Sequence, residues 1–298
     1  MKTIGFIGLG HMGNPMVQNL LKNNYKVKVF DIDDQAIKPL IVLGAISAKN
    51  PAEIAQNTDV VITMLQTGEQ VKQCCLGDQG IFAHVKSDTL FIDCSSIDVH
   101  TSRELHVAAK SKYITMCDAP VSGGVLAAQN ATLTFMVGGD EKNFESAKNI
   151  LTAMGKKIIY AGLAGSGAAA KICNNMLLGI SMIAVSEAFV LADKLGLDAQ
   201  KLFEISSNAS GQCWSLTNYC PWPNILPNVP SSHDYQPGFT AKMMLKDLHL
   251  SQDAASMVNA ATPLGKHAME LYAQFVKSNA DEIDFSGIIQ MLLKYKDE

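Results

Sequence analysis

Arginine is nearly missing from this 298-residue sequence, where Arg103 stands alone. Guanidinium forks are the usual bidentate clamps for carboxylates and phosphates. Any bound anion must therefore be held by main-chain N–H groups, hydroxyls or a lysine. A basic face is missing as well: the net charge of −4 argues against nucleic acid as a main partner. Cys74, Cys75, Cys94, Cys117, Cys173, Cys213 and Cys220 are odd in number and show no C-x-x-C spacing. They read as reduced thiols, and with no Cys/His cluster at ligand spacing no metal site is expected. No signal or transit segment precedes the strand-like start Met1-Lys2-Thr3-Ile4, so a cytoplasmic protein is expected. Repeats and low-complexity tracts are absent. The uncharged run from Ile172 to Ser186 falls short of the ~20 apolar residues of a membrane span. Lys171, Glu187 and Asp193 bracket it, which predicts a buried core helix and no membrane partner.

What is present is globular: 48 % hydrophobic and 17 % charged residues. The length exceeds what one hydrophobic core usually organises, so two domains are expected. Thr3 to Leu9 is a short apolar run ending in Gly8-x-Gly10-x-x-Gly13, followed by a helical stripe of Met16, Val17, Leu20 and Leu21. A second strand-like run, Lys26 to Phe30, ends on Asp31. Strand, glycine turn, helix and a strand ending in an acid make a dinucleotide fingerprint. The glycines let the backbone approach a pyrophosphate at a helix N-terminus, and Asp31 accepts from ribose hydroxyls. Asp31, Asp33 and Asp34, with no arginine nearby, would repel a 2′-phosphate, which predicts NAD over NADP. Further strand-like runs at 60–65, 90–94, 115–117 and 132–137 predict a parallel, doubly wound sheet.

Ligands of such sheets bind beyond the carboxyl ends of the strands. Met64 and Leu65 stand there as apolar packing near the nicotinamide. Ser95 and Ser96 stand there too, and read either as cofactor contacts or as caps for the helix near Thr101 to Ala109. Asp118-Ala119-Pro120-Val121-Ser122-Gly123-Gly124 offers a hydroxyl and successive unshielded N–H groups, an anion-binding concavity or a plain turn. Then Gly165-x-Gly167 leads into Lys171-x-x-x-Asn175 and a helix to Leu195, with Lys171, Asn175, Leu178 and Met182 on one face. Lys171 reads either as a snorkelling lysine at the helix start or as a held amine. Beyond Leu195 the pattern is helical, interrupted by the proline-rich stretch 221–238. Trp214 and Tyr219 precede that stretch, as an apolar wall over a ligand or as packing, and Lys246-Asp247 reads as a surface pair or as part of a site.

Four ordered motifs, Gly8-Leu9-Gly10-His11-Met12-Gly13-Asn14-Pro15-Met16, Asp118 to Gly124, Gly165 to Asn175, and Lys246-Asp247-Leu248, together resemble the β-hydroxyacid dehydrogenase family. The resemblance spans most of the chain. Asn218 to Pro223 is especially similar to 3-hydroxyisobutyrate dehydrogenases and the related NAD-dependent serine dehydrogenases. It implies a Rossmann NAD-binding domain over 1–164, an interdomain helix over 165–195 and an all-helical substrate and oligomerisation domain over 196–298. It implies NAD-dependent oxidation of a short 3-hydroxy acid, 3-hydroxyisobutyrate to methylmalonate semialdehyde, with L-serine the alternative. Lys171 is implied as the catalytic lysine and Asn175 as orienting substrate or lysine. Gly8, Leu9, Gly10, His11, Met12, Gly13, Asp31, Met64, Leu65, Ser95, Ser96 and Lys246 are implied on the cofactor side. On the substrate side are Ser122, Gly123 and Gly124 for the carboxylate, with Trp214, Tyr219 and Asp247. A homodimer or homotetramer is expected. Val99 and Gln66 stand where the family commonly has proline, which bears on loop shape and not on chemistry. A phosphorylated sugar acid suits a chain with one arginine poorly, and a non-enzymatic dinucleotide module would be expected to lack Lys171.

Overall fold

The computed structural model describes residues 2–280 and 282–294. It divides into two compact units, Met1–Lys171 and Ile172–Glu298.

The first unit is a sheet with helices on both faces. Its strands are β1 (Thr3–Ile7), β2 (Lys26–Phe30), β3 (Ile46–Ser47), β4 (Val60–Thr63), β5 (Leu90–Asp93), β6 (Thr115–Asp118), β7 (Val121–Ser122), β8 (Leu133–Gly138) and β9 (Gly155–Gly162). Between them lie α1 (Gly13–Lys22), α2 (Asp34–Val42), α3 (Pro51–Ala55), α4 (Gly68–Cys75), α5 (Ile81–His84), α6 (Val99–Ser111), α7 (Gly124–Gln129) and α8 (Glu141–Leu151). The order β3-β2-β1-β4-β5-β6 is parallel throughout, with β1 at the switch between β2 and β4. This is the Rossmann arrangement. Alternation along each strand sends side chains to two cores. Ile4, Phe6, Val60, Ile62, Leu90 and Ile92 join α1, α2 and α8 residues on one face. Ile7, Val61, Phe91 and Met116 join α3 to α6 residues on the other.

One expectation is corrected at the sheet's far edge, which is mixed rather than parallel. β8 runs antiparallel to β6 and β7 and parallel to β9. Only residues 123–132 separate β7 from β8, and a parallel return needs a crossover of about a dozen residues or more. The short return with α7 brings the chain back antiparallel. Strand β9 carries lysines and exposed apolar residues, so the apolar runs gave no sign of it.

A 29-residue helix, α9 (Ser166–Lys194), runs from the first unit into the second. The second unit continues with α10 (Ala199–Ser207), α11 (Trp214–Thr217), α12 (Ala241–Met257), α13 (Pro263–Phe275) and α14 (Ile288–Leu292), with a π-helical turn over Val276–Ala280. By length and composition α9 could cross a bilayer, so the inference that its apolar run is too short fails. Its side chains nevertheless read as those of a core helix. Met182 and Ile183 enter a core with Met244, Leu248, Leu271, Tyr272 and Phe285, and Val185 and Phe189 enter another with Leu216 and Tyr235. Stretch 221–238 is irregular apart from a 3₁₀ turn at Pro230–Ser232. It is pinned by Ser231, whose hydroxyl donates to Cys220 O at 2.6 Å, and by Tyr235, whose hydroxyl donates to Pro221 O at 2.9 Å.

Candidate active site

In the first unit the glycine turn is built by exclusion. Gly8 has φ +94°, and a Cβ there would strike Met64 O and crowd the Leu65 side chain. One on Gly13 would strike the Gly8 carbonyl oxygen, so α1 packs closely onto the end of β1. Gly10 differs: nothing lies within 4 Å of where its Cβ would be. Space above the middle glycine lets a ligand reach the main chain. Helix α1 begins with no side-chain cap at Met12 and no acid in its first turn, so no carboxylate of its own competes with an anion for the positive end of its dipole. Leu9 and Gly13 are buried and His11 is exposed. Asp31 follows β2, and its Oδ2 accepts the Leu9 N–H at 2.6 Å while Oδ1 accepts the Asp33 N–H at 2.9 Å. The acid thus ties the glycine turn to the end of β2. These features fit a bound dinucleotide: an open main-chain patch for the pyrophosphate, with a carboxylate one strand away for the ribose.

The strand ends beyond β4 and β5 are joined by side chains. Ser95 Oγ accepts the Leu65 N–H at 2.9 Å, so Ser95 does not cap α6. Asp98 does, accepting the Thr101 N–H at 2.7 Å. Ser96 is half-buried beside it. Beneath both loops Asp93 is fully buried, accepting from Thr63 Oγ1 at 2.8 Å and from Ser95 N at 3.1 Å. Burial pushes its carboxyl up to about 6, against the hydrogen bonds that favour the charged form. Where proline would remove a donor, the Gln66 N–H instead donates to Gln70 Oε1 at 3.1 Å.

Ser122 closes β7, paired with Thr134 of β8. Gly123 and Gly124 have φ of +128° and +68°, conformations that favour glycine, and they lead into α7. Lys171 lies in the second turn of α9 and is 8 % exposed. That level is rare for a lysine, which is almost never fully buried unless paired. The helix start is fixed by Asp118, whose carboxylate accepts the Gly165 N–H at 2.9 Å and the Ala168 N–H at 2.8 Å.

In the second unit, Asn175 is 2 % exposed and its amide donates to Asp247 Oδ2 at 2.5 Å. Lys246 Nζ stands 3.1 Å from Asp247 Oδ1. Asp247 is buried, so the surface-pair reading of Lys246-Asp247 does not hold. Trp214 is half exposed and stacks on Tyr219 at 5.2 Å, which stacks in turn on Phe285 at 5.2 Å. The Tyr219 hydroxyl donates to the buried Asp284 at 3.0 Å, so its polar end is turned into the core. The wholly buried Asp284 also accepts the Gly238, Phe239 and Ser286 N–H groups.

Sequence reasoning assigned no role to Asp93, His106 or Asp284. Asp284 and Asp93 each carry one local signal, an acid two residues before a serine whose N–H it accepts, whereas Thr63, Tyr219 and the Asp118 partner of His106 are distant in sequence. All seven cysteines are free, and no metal-holding cluster exists among the described residues.

Residues 3–162 match the NAD-binding domain of 6-phosphogluconate dehydrogenase. Residues 165–292 match a domain described as the NAD-binding part of NADP-dependent 3-hydroxyisobutyrate dehydrogenase. A 3-hydroxyisobutyrate dehydrogenase of Pseudomonas aeruginosa is 44 % identical over 299 residues, covering 100 % of both chains. An NAD-dependent L-serine dehydrogenase of the same organism is 45 % identical, covering 98 % of each. The solved structure of Mycobacterium tuberculosis 3-hydroxyisobutyrate dehydrogenase with L-serine superposes with a TM-score of 0.93 at 45 % identity, over 98 % of this chain and 99 % of that one. With a first unit that is an NAD-binding domain and relatives aligned from end to end, the chain belongs to the β-hydroxyacid dehydrogenase family and is an NAD-dependent 3-hydroxyacid dehydrogenase.

Proposed function

We propose that the protein oxidises 3-hydroxyisobutyrate to methylmalonate semialdehyde, in the breakdown of valine, with Lys171 as the acid–base group. The observation that carries this reading is a lysine 8 % exposed on a helix whose first turn is fixed to the sheet. Bound NAD supplies the hydride acceptor. Every other requirement falls to side chains and main chain.

The alcohol must lose its hydroxyl proton as hydride leaves the carbinol carbon. Lys171 Nζ takes that proton, which an amine does only when neutral, and withdrawal from water disfavours an ammonium. In the reverse direction the ammonium returns the proton to the carbonyl oxygen. Ser122, Gly123 and Gly124 hold the substrate carboxylate through a hydroxyl and main-chain N–H groups, the solution open to a chain with one arginine. Asn175 orients substrate or lysine, and its own orientation is supported by Asp247. Lys246 serves the cofactor, while Trp214, Tyr219 and Asp247 serve the substrate. The glycine turn, Met64, Leu65, Ser95 and Ser96 complete the cofactor side. The domain limits proposed from the motifs, 1–164, 165–195 and 196–298, treat α9 as a segment of its own.

L-Serine is the second reading, favoured by the L-serine dehydrogenase relative and by the solved relative with L-serine. A panel of 3-hydroxyisobutyrate, serine and other short 3-hydroxy acids, as both enantiomers, followed by NADH absorbance with NADP as control, ranks the candidates. The proposal predicts the highest kcat/KM for 3-hydroxyisobutyrate, and a higher value for serine overturns it. Lys171→Ala is expected to lose about 10²–10⁴-fold in kcat, the worth of a positioned acid–base group, while still binding NAD. Near-parental turnover would make the lysine structural.

The same reading makes the protein a cytoplasmic homodimer or homotetramer, with no nucleic-acid or membrane partner. Exposed Leu177, Leu191 and Leu264 on the helices, with Leu195 and Val258 just past helix ends, supply apolar surface for a partner subunit. Light scattering at micromolar concentration is expected to show an oligomer, and a monomer would end that part.

A further inference from the structure

Asp118 closes β6 and is 2 % exposed. Both its oxygens are spent on the first turn of α9: Oδ1 accepts from Gly165 N and Oδ2 from Ala168 N. These partners lie 47 and 50 residues away in sequence, so the carboxylate does more than cap a helix. It fastens that helix to the sheet. No spare volume surrounds it, since a Cβ on Gly138 would sit 2.6 and 2.7 Å from its two oxygens and one on Gly167 2.9 Å from Oδ2.

A third donor arrives from α6. His106 Nε2 lies 2.8 Å from Asp118 Oδ1, with the ring 11 % exposed. An ionised carboxylate only accepts, so the ring donates from Nε2. Val99 and Arg103, on the same face of α6, pack where a Cβ on Gly165 would go. Gly165 has φ +79°, a conformation that favours glycine. The start of α9 is therefore held from two sides, by the sheet through Asp118 and by α6 through His106 and its neighbours. Lys171 follows Ala168 by three residues, within the next turn.

We infer that Asp118, oriented by His106, is a positioning residue that fixes where α9 begins and so where the Lys171 amine stands. The inference rests on the reading of Lys171 as the acid–base group. Its physical content is simple: a carboxylate both satisfies the orphan N–H groups of a helix start and interacts favourably with the helix dipole. Because Asp118 also begins the segment that reaches Ser122, one side chain registers the helix against the turn proposed to hold the substrate carboxylate.

The test uses the full-length protein with Asp118→Asn, His106→Ala and His106→Gln, each checked for folding by circular dichroism and thermal midpoint. Asp118→Asn keeps the volume but turns one acceptor into a donor facing an N–H. Its kcat is expected to fall about 10²-fold, the scale of a misplacement of about 1 Å, with KM for NAD within about twofold of the parent. Hydrogen exchange of the amides over residues 163–172 is expected to quicken in parallel. His106→Ala is expected to lose about fivefold in kcat, and His106→Gln, which keeps a donor, to recover most of it. A folded Asp118→Asn with parental kcat and parental exchange overturns the inference. Should that variant not fold, the His106 pair decides, and equal kcat with parental exchange in both overturns it. Lys171→Ala separates the two layers. Retained turnover there removes the reading of the lysine and with it the catalytic consequence, while quickened exchange in Asp118→Asn still carries the anchoring of α9.

Discussion

The glycine turn of the first unit and the Asp284 centre of the second are both tightly built, but from opposite materials. Around Gly8, Gly10 and Gly13 the fit is main chain against main chain, set by side chains that are missing. Around Asp284 it is side chain against side chain, a carboxylate gathering the Tyr219 hydroxyl, the Ser286 hydroxyl and three N–H groups under a stack of aromatic rings. The first arrangement tolerates no added atom at its closed positions. The second tolerates no lost acceptor.

The largest expected effect comes from removing that acceptor. Asp284→Ala leaves two hydroxyls and three N–H groups without their buried partner, and each such group costs about 1–3 kcal/mol. A loss of about 3 kcal/mol or more is expected in urea unfolding. A loss under about 1 kcal/mol would show that the centre is filler rather than a keystone of the second unit.

Asp93 is the first unit's counterpart, a wholly buried carboxylate with fewer donors. Its folded pKa, about 6, lies above the ~3.9 of an unfolded aspartate. A raised acid favours the fold while protonated, so its contribution is full below about pH 4 and lost as pH rises through about 6. Asp93→Asn, neutral throughout, should therefore gain on its parent as pH rises from 4 to 7, by on the order of 3 kcal/mol. Urea unfolding at pH 4.5, 5.5 and 7 reads that difference, and a flat difference would place the carboxylate in better-solvated surroundings.

Why one centre was legible and the other not follows from sequence distance. Gly8, Gly10, Gly13 and Asp31 lie within one strand-turn-helix-strand unit, so spacing alone carries the geometry. Lys171 and Asn175 share a helix and were equally readable as a face. Tyr219 and Asp284 lie 65 residues apart, and nothing local to either names the other. The same holds for Asp118 and its partners in α9, and for Ser95, whose hydroxyl turned out to serve Leu65, 30 residues upstream, rather than its own helix. The antiparallel β8 escaped for a related reason, because strand direction depends on the length of the return and not on the apolar pattern of the strand.

The glycines themselves give a smaller, sharper contrast. Gly13→Ala drives a methyl into the Gly8 carbonyl and is expected to cost about 1–3 kcal/mol of stability, the usual range for overpacking. Gly10→Ala meets open space and should leave stability within about 0.5 kcal/mol while weakening NAD binding. If thermal midpoint and NAD titration show both variants equally unstable, the open patch over Gly10 is not open in solution.

The smallest effect concerns Asp31, where two roles overlap. Its carboxylate ties the turn through the Leu9 N–H, and in the proposed site its charge would stand beside the ribose. Asp31→Asn keeps one oxygen to accept the Leu9 N–H but drops the charge that repels a 2′-phosphate. The turn should therefore survive, and the ratio of kcat/KM for NAD to that for NADP should narrow about tenfold, chiefly by a gain with NADP. Asp31→Ala removes both roles and should lose NAD affinity as well. An unchanged ratio in the asparagine variant, with binding intact, would assign discrimination to the neighbouring Asp33 and Asp34 and leave Asp31 as the strut that holds the glycine turn to β2.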